Sequence, residues 1–270
     1  MFIFDKLYIR IDILLMSNLI RQNVYDTESD DEIKSKKRKP KIPKAPRRIT
    51  PMPNPDKKFH ETYKSSHNPI RFPKPFRCVI LGKVNSGKSL IAKHVLMAHQ
   101  EKDPKFQEVH IIHGCAETHT SEYDDLEPTS VRSDIPSYDE YDPEVLKLLI
   151  FDDVDFTIMS GQELKNLSEL FRFGSTHCNI SIMLLHQSFF SIPKIVKNCA
   201  NVFVIFRPHD NDELSTIGRR VGMKKEKIFR IFKEQLPEWR DSLLINLCPG
   251  AKSKFSKNLF EPIDVYSDSD

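Results

Sequence analysis

The octapeptide "GKVNSGKS" (residues 82–89) constrains this chain more than any other stretch. It is entered from the apolar run "FRCVIL" and opens the helically spaced "SLIAKHVLMAHQ". Gly82-x-x-x-x-Gly87-Lys88-Ser89 is a complete phosphate-loop pattern, and a strand before and a helix after are the context that pattern needs. Gly82 and Gly87 let the backbone curl so that amide N–H groups face phosphate oxygens. The helix opening at Ser89 adds the positive end of its dipole. Lys88 has the reach for β- and γ-phosphates, and Ser89 offers a hydroxyl to Mg2+. Gly82, Asn85, Ser86, Gly87, Lys88, Ser89 and Leu90 are the expected nucleotide-binding residues.

A loop that holds phosphate needs an acidic partner for the metal. "LLIFDDVD", 64 residues beyond Lys88, supplies one: four apolar residues and then Asp152 at the carboxyl end of a buried strand. Asp152 is expected to hold Mg2+ through its water shell, and Asp153 to orient or deprotonate an attacking water. Gln187 follows "SIMLLH" at the end of the next strand, where an open α/β sheet presents its ligand-contacting residues. A Gln there can hydrogen-bond a γ-phosphate or its water.

The surrounding pattern predicts an α/β domain. Short apolar runs at Arg77–Gly82, Glu108–Gly114, Val145–Asp153, Asn179–Gln187, Asn201–Pro208 and Ser242–Leu247 alternate with helical periodicity. Helices are expected over Ser89–Gln100, Gly161–Phe173, Asp210–Val221 and Lys224–Gln235. Runs that are apolar throughout indicate parallel strands covered on both faces. Leu90, Ile91, Val95 and Leu96 form the apolar stripe of the first helix, and Leu164, Leu167, Leu170 and Phe171 that of the second.

The flanks read differently. Hydrophobic residues make up 39% of the chain and prolines outnumber glycines 18 to 8, which fits a globular part with polar, extended appendages. Residues 1–75 are an N-terminal extension, 76–248 the domain and 249–270 a C-terminal tail. The net charge of +3 hides an uneven spread, since nine of the fifteen residues from Lys34 to Arg48 are basic. That run suits nucleic-acid phosphate, nuclear import or a plain solvated linker. The N-terminal "MFIFDKLYIRIDILLMSNLI" is broken by Asp5, Lys6, Arg10 and Asp12 into pieces too short to span a bilayer, and it lacks a signal-peptide layout. It is either an amphipathic docking element or untranslated, if synthesis begins at Met16. The five scattered cysteines suit reduced thiols. His113, Cys115 and His119 lie close together but lack the paired spacing of a zinc site.

These pieces together resemble the poxvirus-type DNA-packaging ATPases, found in large DNA viruses and Maverick/Polinton elements within the FtsK–HerA group. The resemblance covers roughly Pro75 to Leu247. It rests on "PFRCVILGKVNSGKS", on "LLIFDDVD" and above all on "LSELFRFGSTHCNISIMLLHQSFFSIPKIVKNCANVFVIFRPHDNDEL". It implies a RecA/FtsK-like P-loop fold with a mostly parallel sheet, ATP and Mg2+ as cofactors, and ATP-driven movement of double-stranded DNA into a preformed capsid. Lys88 and Ser89 match the phosphate and metal positions, Asp152 the metal-associated acid and Gln187 the polar sensor. Asp153 stands where the wider group often has Glu, a carboxylate about one bond shorter. "STH" (Ser175–His177) stands where relatives commonly read "GRH", so Thr176 cannot act as an arginine finger. Arg172 is the nearest substitute, ahead of Arg207, Arg219 and Arg220. A finger acting between subunits implies a homo-oligomeric ring. Capsid or portal-vertex proteins are the implied partners, with no membrane. The implied location is a virus assembly site in host cytoplasm or nucleus, or the virion. A DNA motor grips phosphate charge rather than base sequence, and "GRRVGMKKEK" (Gly218–Lys227) is the favoured surface for it, beside the basic arm around Lys36–Lys41.

Two other readings stay open on the residues alone: a P-loop kinase of a small phosphate acceptor, and a nucleotide-gated DNA- or capsid-binding module without turnover. No compact Arg-rich lid follows the fourth strand, which weighs against the kinase. A GTPase is disfavoured because no [N/T]KxD motif occurs.

Overall fold

The computed structural model describes residues 70–116, 120–208, 210–263 and 265. The N-terminal apolar stretch, the basic run from Lys34 to Arg48 and His119 lie outside the described residues. No helix among the described residues is long and apolar enough to cross a membrane.

Among the described residues nine strands form one sheet: β1 (Arg77–Leu81), β2 (Glu108–His113), β3 (Ser130–Arg132), β4 (Lys147–Asp152), β5 (Ile180–His186), β6 (Val202–Phe206), β7 (Ser242–Asn246), β8 (Phe255–Lys257) and β9 (Glu261–Pro262). Their order is β3-β2-β4-β5-β1-β6-β7-β8-β9. From β3 to β6 every pairing is parallel, and β6–β7, β7–β8 and β8–β9 are antiparallel. The mostly parallel α/β sheet expected from the apolar runs is present, with P-loop geometry at the end of β1.

The helices are α1 (Lys88–Gln100), α2 (Gly161–Glu169), α3 (Lys194–Cys199), α4 (Asn211–Arg220) and α5 (Lys225–Arg230). α2 starts on a capping box in which Ser160 and Glu163 bond each other's backbone amides. It runs on through a π-helical turn, Leu170–Gly174, to a last turn at Ser175–His177. α5 likewise runs into a π-helical turn, Ile231–Gln235.

Alternation along each strand splits the core in two. Val79, Leu81, Leu149 and Phe151 join one apolar cluster, and Cys78, Ile80, Leu148 and Ile150 join the other. The first face is covered by Leu167, Val196, Leu214, Ile217 and Ile228 from α2 to α5. The second is covered by Ala92, Val95 and Leu96 of α1, with Phe72, Phe76 and Phe106. Burial on both faces is why the strand sequences are mostly apolar rather than alternating.

Four details differ from the sequence expectation. β7 is antiparallel, because two helices, α4 and α5, separate it from β6. Each helix crosses the domain once, so the chain returns to the edge it left and the next strand runs back. Sheet structure also continues beyond Cys248 through β8 and β9, each pairing at the edge, where a tail is expected. The short β3 lies in an acidic stretch with no apolar run to announce it. Finally, Leu90 and Leu164, assigned to apolar stripes, are 56% and 37% exposed.

The inner end of α1 holds a titratable group. His99 is 1% exposed and its ring stacks on Phe76, centroids 5.1 Å apart. Burial, with the Lys74 and Arg71 charges behind it, holds its imidazole down at about 3 against an ordinary 6.5. The unfolded chain therefore takes up a proton near pH 6.5 that the folded chain refuses. Stability is fully present above that pH and is lost as pH falls from about 6.5 toward about 3, at roughly 1.4 kcal/mol per pH unit. Urea denaturation at stepped pH should show this slope, and His99→Phe, which keeps a ring against Phe76, should flatten it.

Candidate nucleotide-binding site

The loop after β1 folds as its glycines dictate. Gly87, at the N-terminus of α1, has φ 108° and Asn85 has φ 61°, so two left-handed residues turn the chain over the end of the strand. Gly82 is fixed by crowding rather than by its dihedral. A Cβ there would run into Ser86 Oγ and come within 2.9 Å of the Phe206 ring. The Ile91 amide donates to the Gly87 carbonyl at 3.0 Å, starting α1.

This loop forms one wall of a cleft of about 710 Å3 at the carboxyl ends of the central strands. Lys88, Ser89, Asp152, Asp153 and Gln187 all line it, so residues 99 positions apart in sequence meet there. The strand order explains the convergence. β5 lies between β1 and β4, which sets Gln187 between the loop and the two aspartates. Asn85, Gly87 and Leu90 line the cleft too, whereas Ser86 is buried beneath the loop at 3% exposure.

Lys88 Nζ donates to the carbonyls of Gly82 and Lys83, each at 3.0 Å, folding its charge back over the loop. The Ser86 hydroxyl is buried without a hydrogen-bond partner. A cradle of amides and a folded-back ammonium suit phosphate oxygens. Ser89 and Asp152 add the oxygen donors that Mg2+ takes together with water and phosphate. The residues present thus fit both nucleotide and metal.

Asp152 is 7% exposed, and its carboxyl accepts a hydrogen bond from the Tyr123 hydroxyl. Tyr123, itself 1% exposed, comes from the 3-10 segment Thr120–Leu126. Asp153 is exposed and has φ 52°, a strained setting for a residue other than glycine. Gly114 accommodates it, since a Cβ on Gly114 would strike the Asp153 carbonyl oxygen.

His113 and His186 also line the cleft. His113 pairs in register with Asp152 at the ends of β2 and β4, and its Nδ1 accepts from the Cys115 amide at 2.9 Å. His186 shares a 2.6 Å hydrogen bond with Ser191. Burial, helped by the Lys88 charge and opposed by Asp153 and Asp155, holds the His186 imidazole below its ordinary value.

The loop after Gln187 is clamped. Buried Glu213, in the first turn of α4, accepts from the Phe189 amide and from Ser188 Oγ, the latter at 2.9 Å. The remaining cleft residues include Trp239 and Arg240, from the turn before β7.

The arginines divide. Arg172 is exposed on the π-helical turn leading into the amino end of β5, and it does not line the cleft. Arg207 is committed to the Phe232 and Leu236 carbonyls at 2.6 and 2.9 Å. Arg220 donates to Asn198 and Arg219 to Thr216. Thr176 accepts from Arg77 at 2.9 Å.

Tyr123, His186, Glu213, Trp239 and Arg240 are not among the expected site residues, and His113 enters the expectation only in a cluster that lacks zinc spacing. The strand-end rule applied to β2 would have found His113, and the neighbour of Gln187 is His186. Nothing in "SEYDDLEP" marks Tyr123 as the partner of a residue 29 positions away.

Tyr123→Phe keeps the ring and removes the donor to Asp152. It should cost about 1–3 kcal/mol in urea denaturation, with the far-ultraviolet circular dichroism unchanged.

No protein-family model matches the sequence, and no curated protein matches it either. Solved structures do. The genome packaging NTPase B204 from Sulfolobus turreted icosahedral virus 2, in complex with AMPPCP, is 18% identical, with 71% of this chain and 99% of that chain covered at a TM-score of 0.47. The pCW3 conjugation coupling protein TcpA is 14% identical, covering 68% and 59% at 0.43. EssC (ATPases 2 and 3) from Geobacillus thermodenitrificans is 12% identical, covering 54% and 34% at 0.42. The P-loop α/β assignment rests on the strand order and the loop geometry, independently of these likenesses.

Proposed function

We propose that this chain is an ATP-hydrolysing DNA translocase that packages a viral double-stranded DNA genome into a capsid. The observation that carries the nucleotide half is the meeting of Lys88, Ser89, Asp152, Asp153 and Gln187 in one cleft. A phosphate cradle alone would bind; two carboxylates and a polar strand-end side chain facing the same space suit hydrolysis.

In this reading Lys88 exchanges the Gly82 and Lys83 carbonyls for β- and γ-phosphate oxygens. Ser89 and Asp152 would hold Mg2+, which when bound neutralises charge on those oxygens. Tyr123 fixes the Asp152 carboxyl. Asp153 orients the attacking water and takes its proton, and Gln187 hydrogen-bonds the γ-phosphate or that water. Arg172 is exposed and does not line its own cleft, which suits an arginine finger for a neighbouring subunit in a homo-oligomeric ring.

The DNA half rests on the sequence resemblance and on charge. Arg219, Lys224 and Lys225 are exposed around the turn joining α4 to α5, and Arg230 is exposed at the far end of α5. Lys224, Lys227 and Lys254 line a pocket of about 270 Å3 beside the turn. A cluster of this kind suits the phosphate backbone, which a packaging motor must grip regardless of sequence. Glu213 ties the other end of α4 to the loop after Gln187, so a shift at the γ-phosphate has a direct route to the basic turn. Capsid or portal-vertex proteins are the proposed partners, at virus assembly sites in cytoplasm or nucleus.

Steady-state ATP hydrolysis by the full chain, with and without double-stranded DNA, tests this. Turnover should rise with DNA, the rise should shrink with added salt, and Lys88→Ala should abolish both. Turnover indifferent to DNA, with phosphate passed to a small acceptor, would instead identify a kinase. Saturable nucleotide binding without turnover would identify a gated binding module.

A further inference from the structure

Nine large apolar side chains are exposed among the described residues, and three of them, Val84, Leu90 and Trp239, line the phosphate-loop cleft. Apolar side chains exposed singly are ordinary. Three gathered in one cleft with Lys88 and two carboxylates make a site for a ligand charged at one end and flat and apolar at the other. The phosphate loop serves the charged end. The other end needs an aromatic face, and among the cleft residues the only indole or phenyl ring is that of Trp239.

We propose that Trp239 is the nucleobase platform of this site, stacking the base on its indole beside Val84 and Leu90. The proposal rests on the nucleotide-binding reading above and extends it to the base. Trp239 is 55% exposed, which leaves ring surface for a ligand. The Arg240 guanidinium lies 4.9 Å from the indole centroid and braces the ring by a cation–π contact.

The platform stands on a fixed turn. The Asp241 amide donates to the Glu238 carbonyl, and the Glu238 amide to Asp241 Oδ2, each at 3.1 Å. The buried Asp241 carboxylate is further held by Asn258 at 2.9 Å and Lys257 at 3.1 Å. Just upstream, Arg207 grips the Leu236 carbonyl. An exposed indole on so braced a turn loses little freedom when a base stacks on it. Stacking offers a face and no edge hydrogen bonds, so the platform binds a base without reading its identity closely.

Trp239 is the only tryptophan in the chain, so intrinsic emission reports this one position. The full-length protein is titrated with a non-hydrolysable ATP analogue and Mg2+, and separately with inorganic tripolyphosphate, affinities being measured by calorimetry. The analogue should change Trp239 emission saturably, and tripolyphosphate should bind without doing so. Trp239→Ala should weaken the analogue about ten-fold or more and leave tripolyphosphate unchanged, with Trp239→Phe retaining most of the affinity. Lys88→Ala should weaken both ligands. If Trp239→Ala binds the analogue as the parent does, and the parent's emission is indifferent to it, the platform is overturned while the phosphate site stands. If neither ligand binds the parent, the nucleotide reading falls and the platform with it. An emission change on adding double-stranded DNA but not nucleotide would assign Trp239 to another surface and overturn the proposal.

Discussion

A sheet that is dry on both faces can offer polar groups to water only at the ends of its strands. That constraint organises this molecule. β4 is buried at all six positions, and Asp152, its last residue, is where the chain can first return to polar chemistry. β5 is buried until His186, and Gln187 follows at once. Because β1, β4 and β5 are parallel and adjacent, their carboxyl ends share one edge, and the phosphate loop, the acids and the glutamine have nowhere else to go. The hydrophobic effect, which is indifferent to chemistry, thereby concentrates the chemistry.

The second wall of the cleft has a different origin. Two helices separate β6 from β7, so the chain comes back to the edge carrying the phosphate loop before β7 begins. In register, Phe206 pairs with Ser242, three residues after Trp239. The same Phe206 packs against the space left by Gly82 and lies 3.6 Å from where a Cβ of Gly87 would be. One aromatic residue thus ties the end of β6, the phosphate loop and the start of β7 into a single contact. The direction of β7 decides what stands opposite Lys88.

This division explains what could be read in the sequence. Lys88, Asp152 and Gln187 were legible because each announces itself locally, by a motif or by its position at the end of an apolar run. The parallel central strands were legible for the same reason. Tyr123, Glu213 and Trp239 were not, since each reaches its partners across the fold from a stretch with no signal of its own. Leu90 shows the limit of periodicity. It falls on the apolar stripe of α1, but it belongs to the first turn, where the helix emerges from the loop and its side chain meets the cleft instead of the core. Arg172 is near Thr176 in sequence, but it sits on the π-helical turn that leads into the amino end of β5, at the opposite end of the strands from Lys88.

The two ends of the sheet carry a consequence for how such chains can be assembled. β3 is three residues long and β9 is two, one of them Pro262, which has no amide hydrogen to lend. Edges this short present almost no ladder for a neighbour to join. Copies of this domain that came together at these edges would have little backbone to share, and would have to meet through side chains on helices and loops. In the ring proposed above, such contacts would slide and re-form without breaking hydrogen-bonded strands, so subunits would shift against one another while each sheet stays intact.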